Sequence, residues 1–241
     1  MPRGPEKPQQ IYPAYAEEMQ RRFGDELEGI VVFGDVAAGD YVPTRSKIEF
    51  LVSVTDASFR RIKGLAPIVA SWHRRRVATP LIVSTGYIQS SIDSSPVELL
   101  NMSLYHDLVW GSDVLSGLTF EHESLRVLCE REAKNRVQHI KQSYLDREGE
   151  LKQIETLMAD SIDHFVPLLR TLIHLHGKQP PGPRRKVFKA AGKVLNLAES
   201  VFVKVLQFRD EGVEGTKTDR AQLFEDYVGQ LELVGEIADR L

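Results

Sequence analysis

The sequence predicts an α+β chain: an α/β domain on a mixed sheet, followed by an all-α four-helix bundle. Three observations carry that prediction. Two short apolar runs, residues 30–33 and 48–54, flank a loop punctuated by Gly39, Asp40 and Pro43. Both runs are continuous rather than alternating, as strands buried on both faces read. From Glu121 onward every apolar pattern has the helical period. The composition shifts after Gly117, so the chain divides into a flexible tail (1–12), a sheet domain (13–117) and a helical bundle (118–241).

Each element has a local cause. Residues 13–27 carry Tyr15, Met19, Phe23 and Leu27 at intervals of four, a helical stripe, and Pro13 suits a first helical turn. The two strands follow. Asp56 reads as the cap of a helix running to about Arg75, with Phe59, Ile62, Val69 and Trp72 on its face and Pro67 kinking or splitting it. The run from His73 to Arg76 reads as a basic C-terminus matched to the helix dipole and, alternatively, as a phosphate contact. Residues 80–84 form a third strand and 85–91 a short helix. The centre of 97–110 reads as a further strand before Gly111. Helices are then expected over 121–147, 151–176 and 186–208, with a last one capped by Thr218 or Asp219. Gly149, Gly177 with residues 178–183, and the polar stretch 211–218 separate them, and Pro167 bends the second. Short connections between amphipathic helices imply an antiparallel bundle.

Composition bounds the function. The chain has 241 residues, of which 42% are hydrophobic, enough for a packed core. Its 34 acids and 31 bases leave a net charge of −3, which argues against nucleic acid as a partner. Cys129 is the sole cysteine, so no intrachain disulfide and no cysteine zinc site exists. The first ten residues are polar and proline-rich, unlike a signal peptide, and no apolar run reaches a membrane span. These features imply a cytoplasmic protein with no membrane association. Exposed apolar strips on the bundle leave a homodimer or a protein partner open.

The charged pair Lys47 and Glu49 stands out inside the second strand region. Period two puts both side chains on one face, opposite the Gly34 turn. As a rim ion pair they contribute little. As a site they sit where chemistry could occur.

The frame Phe33-Gly34-Asp35, a loop carrying Gly39-Asp40, then Ser46-Lys47-Ile48-Glu49 resembles the signature of the nucleotidyltransferase fold, the superfamily of DNA polymerase beta, the aminoglycoside nucleotidyltransferases and MNT-type antitoxins. That signature is Gly-Ser, a loop of about ten residues, then Asp-x-Asp on the next strand. A further run (Asp93, Pro96, Glu98, Leu99-Leu100, His106, Gly111) is similar to uncharacterised bacterial nucleotidyltransferase-like proteins. The resemblance implies that Gly34, Asp35 and Ser46 occupy the nucleotide-binding turn. It implies that Lys47 and Glu49 hold the two metal-binding positions and that Glu98 is a third acid, with Asn101 or Asp93 as other occupants of that place. A helical bundle is the usual companion of such a domain.

The residues depart from that pattern chemically. Two-metal phosphoryl transfer needs hard oxygens converging on both ions. A lysine ammonium is donor-only and cannot ligate Mg²⁺. Asp35 in place of serine would repel a phosphate. Glu49 alone keeps a carboxylate as a metal ligand. The expectation is a nucleotidyltransferase-like pseudoenzyme with no cofactor, binding a ligand (a nucleotide among the candidates) or a partner. Two alternatives stand beside it. One is an active Mg²⁺-dependent nucleotidyltransferase acting on a small molecule, protein or RNA. The other is a HEPN-like ribonuclease or toxin–antitoxin component using Arg170 and His176, whose spacing resembles an Arg-x4–6-His motif.

Overall fold

A computed structural model describes residues 3–146, 150–211 and 216–241. The chain forms two compact units. One comprises Met1–Ser95 with Met102–Thr119, the other Pro96–Asn101 with Phe120–Leu241.

The first unit opens with a 3₁₀ turn, Pro8–Ile11, and helix α1 (Tyr12–Phe23). The segment expected as a tail makes contacts from its start. The Gly4 N–H donates to the Pro43 carbonyl (2.9 Å), and the Tyr41 hydroxyl donates to the Pro5 carbonyl (2.9 Å). Gly24, with φ 56°, ends α1, so Leu27 starts strand β1 (Leu27–Phe33) rather than closing the helical stripe. Then come the short helix α2 (Asp35–Ala38) and strand β2 (Glu49–Val54). The helix expected from Asp56 is split as Pro67 implies, into α3 (Phe59–Ile62) and α4 (Ala66–His73). Its first cap residue is Ser58. Asp56 accepts from the Ser58 N–H (2.9 Å) two residues ahead of it. Strand β3 (Leu81–Val83) and helix α5 (Thr85–Ser90) follow as expected.

The apolar run 97–110 holds two elements rather than one strand. Helix α6 (Pro96–Leu104) precedes strand β4 (His106–Gly111). Pro96 stands at the first helical position, and Val97 and Leu100, one turn apart, are buried. The sheet order is β3-β2-β1-β4. β1 runs antiparallel to both neighbours, and β2 runs parallel to β3. Ile30, Val31, Val32, Leu51 and Val52 are fully buried, which is why these strands read as continuous apolar runs. Tyr15 stacks on Phe50 (4.0 Å between centroids) and meets Trp72 edge-on (5.1 Å), tying α1 and α4 to β2.

The second unit is helical: α7 (His122–Asp146), α8 (Leu151–Leu175), α9 (Arg184–Leu195), α10 (Glu199–Glu211) and α11 (Lys217–Asp239). The third expected helix is therefore two, broken at Asn196, which adopts a left-handed φ of 56°. The last helix starts two or three residues earlier than expected. Thr216 accepts from the Asp219 N–H while the Asp219 carboxylate accepts from the Thr216 N–H, a capping box. The breaks expected at Gly149 and over much of 211–218 lie outside the described residues. The core packs Phe188 flat on Phe202 (5.0 Å) and Phe202 edge-on to Tyr227 (6.2 Å). Gly235 lets α11 approach α7, because an added Cβ would stand 3.3 Å from Lys134 Cγ. Among the described residues no helix is long and apolar enough to cross a membrane.

Candidate functional site

The site is assembled at one end of β1 and β2. Phe33 is the last residue of β1 and pairs with Glu49, the first of β2. The chain then turns at Gly34, whose φ of 69° and ψ of −144° suit only glycine. The turn leaves no room for a side chain. A Cβ on Gly34 would collide with Glu49 Oε2 and stand 3.0 Å from its carboxyl carbon. The Glu49 carboxylate thus lies on the Gly34 backbone.

Asp35 follows as the first residue of α2. Its Oδ2 accepts from Ser46 Oγ at 2.5 Å, and the same hydroxyl accepts from the Val42 N–H at 3.1 Å. The Asp40 N–H donates to the Asp35 carbonyl at 2.8 Å, closing the loop. Ser46 is buried at 4% exposure. It is therefore a strut between the turn and the far side of the loop. Arg76 braces the same loop, donating from Nε to the Ser46 carbonyl (3.3 Å) and from Nη2 to the Arg45 carbonyl. Arg76 itself has a φ of 61°, unusual for a residue with a Cβ. The basic run that ends α4 thus supplies one loop clamp. Its neighbour Arg75 lies over the Trp72 ring at 4.9 Å.

The electrostatics of Glu49 summarise the site. Burial raises its carboxyl above the ordinary range, Asp35 raises it further, and Lys47 pulls it down. The net direction is up, so Lys47 does not offset the other two. Lys47 is exposed, whereas Glu49 is partly buried. Gly34, Asp35, Ser46, Lys47 and Glu49 are therefore brought together in one unit.

Glu98 and Asn101 belong to the helical unit. The Glu98 carboxyl is raised by burial and by the carboxylate of Glu132, with Arg136 opposing. Asn101 Nδ2 donates to the carbonyls of Val97 (2.8 Å) and Pro167 (3.1 Å). Its amide thereby braces α6 and α8, where the Pro167 ring leaves the helix ladder irregular. Asp93 is exposed. Arg170 is buried, and its guanidinium donates to the carbonyls of Pro181 and Gly182, so it anchors the loop after α8. His176 Nδ1 faces the Leu172 carbonyl at 2.8 Å, at the end of the same helix. Cys129 is fully buried, and burial pushes its thiol up to about 12, far from a reactive thiolate.

One residue near the site was matched in the resembling run but given no role there. His106 begins β4 and pairs with Phe33, so Glu49, Phe33 and His106 form one row across three strands. Its Nδ1 faces the carbonyls of Met102 and Ser103 (both 3.1 Å), and its Nε2 faces both Asp113 oxygens (3.0 Å). Burial pushes the Asp113 carboxyl up, but His106 and the N–H groups of Leu115 and Ser116 hold it below the ordinary range. The sequence signal was the histidine opening the strand, which has meaning only once β4 is placed beside β1.

A two-metal centre would need the oxygens of these residues to converge. Among the described residues no group of three or more His, Cys, Asp or Glu side chains converges as a metal site. Asp35 lies close enough to Glu49 to raise it electrostatically, and Asp35 is bound by Ser46. A pair of divalent ions needs more hard oxygens than this, so the residues present do not fit a two-metal centre.

No family model matches the chain, and no curated protein matches it. Among solved structures, spectinomycin adenyltransferase AAD(9) from Enterococcus faecialis, crystallised with ATP and spectinomycin, is similar with a TM-score of 0.56. The likeness covers 92% of this chain and 99% of that one at 12% identity. A match at that identity speaks to fold alone. The mixed four-stranded sheet followed by a helical C-terminal region is therefore the nucleotidyltransferase fold.

Proposed function

We propose that this chain is a nucleotidyltransferase-fold protein that does not run two-metal nucleotidyl transfer and uses the Gly34–Glu49 edge to hold a ligand or partner. The observation that carries the reading is the Glu49 carboxylate lying on the Gly34 turn beside Asp35. In the resembled family that turn receives a triphosphate. Here two carboxylates occupy the same end of the strands, and like charges at short range repel. The edge suits a cationic or hydrogen-bond-donating group, with Lys47 at its rim as the sole basic neighbour among the groups that shift Glu49.

The second reading is active transfer with Mg²⁺. Its support is the likeness to an adenyltransferase crystallised with ATP. Calorimetry with ATP or GTP and Mg²⁺ separates the two. The native chain is expected to give no binding heat. The double variant Asp35→Ser with Lys47→Asp, which rebuilds the Gly-Ser and Asp-x-Glu frame, is expected to gain Mg²⁺-dependent nucleotide binding. Magnesium-dependent binding by the native chain, with transfer of label from [α-³²P]ATP, would overturn the proposal.

A further inference from the structure

We infer that the α7–α11 face of the helical unit is the contact surface of a homodimer in which α7 of one copy lies over α11 of the other. The two helices run side by side and antiparallel. Lys134 Nζ is 3.9 Å from Asp239 Oδ2, and Lys141 Nζ is 2.5 Å from Glu232 Oε1 further along. At one end Tyr144 stacks on Phe224 (5.5 Å), and a groove of about 480 Å³ opens between Tyr144, Leu145, Phe224 and Val228 with Ile154 beneath. Leu145 is 71% exposed there, second only to Phe59 among the large apolar side chains of the described residues. Apolar area of this kind at a groove marks an interaction surface.

The charge pattern selects the occupant. Residues 133–145 of α7 carry Lys134 and Lys141 toward α11 and no acid, while Arg136 pairs with Glu132. Residues 225–239 of α11 carry Glu225, Asp226, Glu232, Glu236 and Asp239 and no base. A basic stripe of two lysines, each already in an ion pair within its own copy, therefore lies beside an acidic one. A two-fold axis along the helices exchanges the stripes, so each basic stripe of one copy meets the acidic stripe of the other. The same axis keeps both apolar ends together, setting Leu145 of one copy on the Phe224–Val228 groove of the other. A two-fold axis across the helices would set like charges face to face. The area is adequate. Helices of 25 and 23 residues are roughly 35 Å long and 10 Å wide each, giving a face of about 700 Å², close to the ~800 Å² per partner of a standard interface.

Sedimentation equilibrium on the full chain tests this. The native chain is expected to dimerise below about 100 μM, a range in which specific contacts operate. Leu145→Asp is expected to weaken the dimer by at least about tenfold without lowering the melting temperature at a dilution where both chains are monomeric, because Leu145 is solvent-exposed in one copy. Lys141→Glu and Glu232→Lys are each expected to lose the dimer, since each puts like charges across the axis. Mixing the two variants is expected to restore it as a heterodimer, because both 141–232 contacts between the copies are then opposite pairs again, while the pair within each chain stays broken as it was in the variants alone. A native chain that stays monomeric at 100 μM overturns the inference. So does a dimer untouched by Leu145→Asp, and so does a mixture of the charge variants that remains monomeric.

Discussion

Two buried tyrosines, one in each unit, show two treatments of a buried hydroxyl. Tyr227, in the helical unit, is fully buried and shares a 3.0 Å hydrogen bond with Ser161. Tyr15, in the sheet unit, is 1% exposed, stacks on Phe50, and its hydroxyl has no partner. Burial alone raises Tyr15 above the ordinary phenol range, and in Tyr227 the Ser161 bond works against a similar rise. Carboxylates show the same two treatments, although not divided by unit, since Glu98 of the helical unit also lies beside an acid, Glu132. Asp163 receives Arg184 (2.9 Å) and Arg209, and Glu155 receives Arg220. Glu49 has a second acid beside it and one exposed lysine. Where a fold needs a charge it supplies a partner. The uncompensated group at the Gly34 turn is thus better explained by what the turn binds than by what it stabilises.

The largest test of that contrast is at the turn itself. Gly34→Ala adds a Cβ at positive φ and drives it into the Glu49 carboxylate. The expected loss is about 2–3 kcal/mol in denaturant unfolding, from backbone strain plus overpacking. In a Glu49→Gly background the overpacking part should vanish, leaving about 1 kcal/mol of strain. Equal losses in both backgrounds would mean that Glu49 swings off the turn at no cost, and the site would lose its defining contact.

The tyrosines give the next effect. Ser161 Oγ also donates to the Met158 carbonyl (3.3 Å), so the Tyr227 hydroxyl is the donor in their shared bond. Tyr227→Phe removes it and should destabilise by about 1 kcal/mol. Tyr15→Phe removes an unpaired hydroxyl from a buried site and should be neutral or slightly stabilising, with the Phe50 stack intact. Matching losses at the two positions would erase the distinction between the two treatments.

How far the sequence reached follows the same physics. β1 and β2 were legible because strands buried on both faces are continuously apolar. The Gly34–Glu49 frame was legible because its residue types at that spacing are rare. The run 97–110 was not, because its apolar residues continue across the helix–strand boundary, and the boundary at Tyr105 carries no glycine or proline. The break at Asn196 was hidden because the apolar spacing runs through it. Thr216-x-x-Asp219 was present as a capping box but sits inside a polar stretch with several possible caps. Arg170 could not be assigned from sequence at all. Its partners are carbonyls eleven and twelve residues away, and backbone acceptors leave no mark on residue identity. The balance of charges on Glu49 was equally out of reach, since it depends on burial as much as on Lys47.

That balance yields the smallest effect and the sharpest sign. Burial and Asp35 raise the Glu49 carboxyl in the folded chain above its unfolded value. The folded state then binds the proton more tightly than the unfolded one, so stability falls as pH rises from the ordinary carboxylate range through the raised folded value, and the penalty is complete above it. Glu49→Gln removes the titrating group while keeping its shape. The variant should be more stable than the native chain at pH 7, by about 0.5 kcal/mol, and the advantage should shrink to nothing near pH 4. Thermal unfolding of both chains across that range reads the difference directly, with titrations remote from the turn cancelling and Asp35 contributing as the coupled neighbour. If the glutamine variant were instead the weaker one at pH 7, Lys47 would be neutralising Glu49 after all, and the turn would be an ordinary rim ion pair rather than a site with charge to spare.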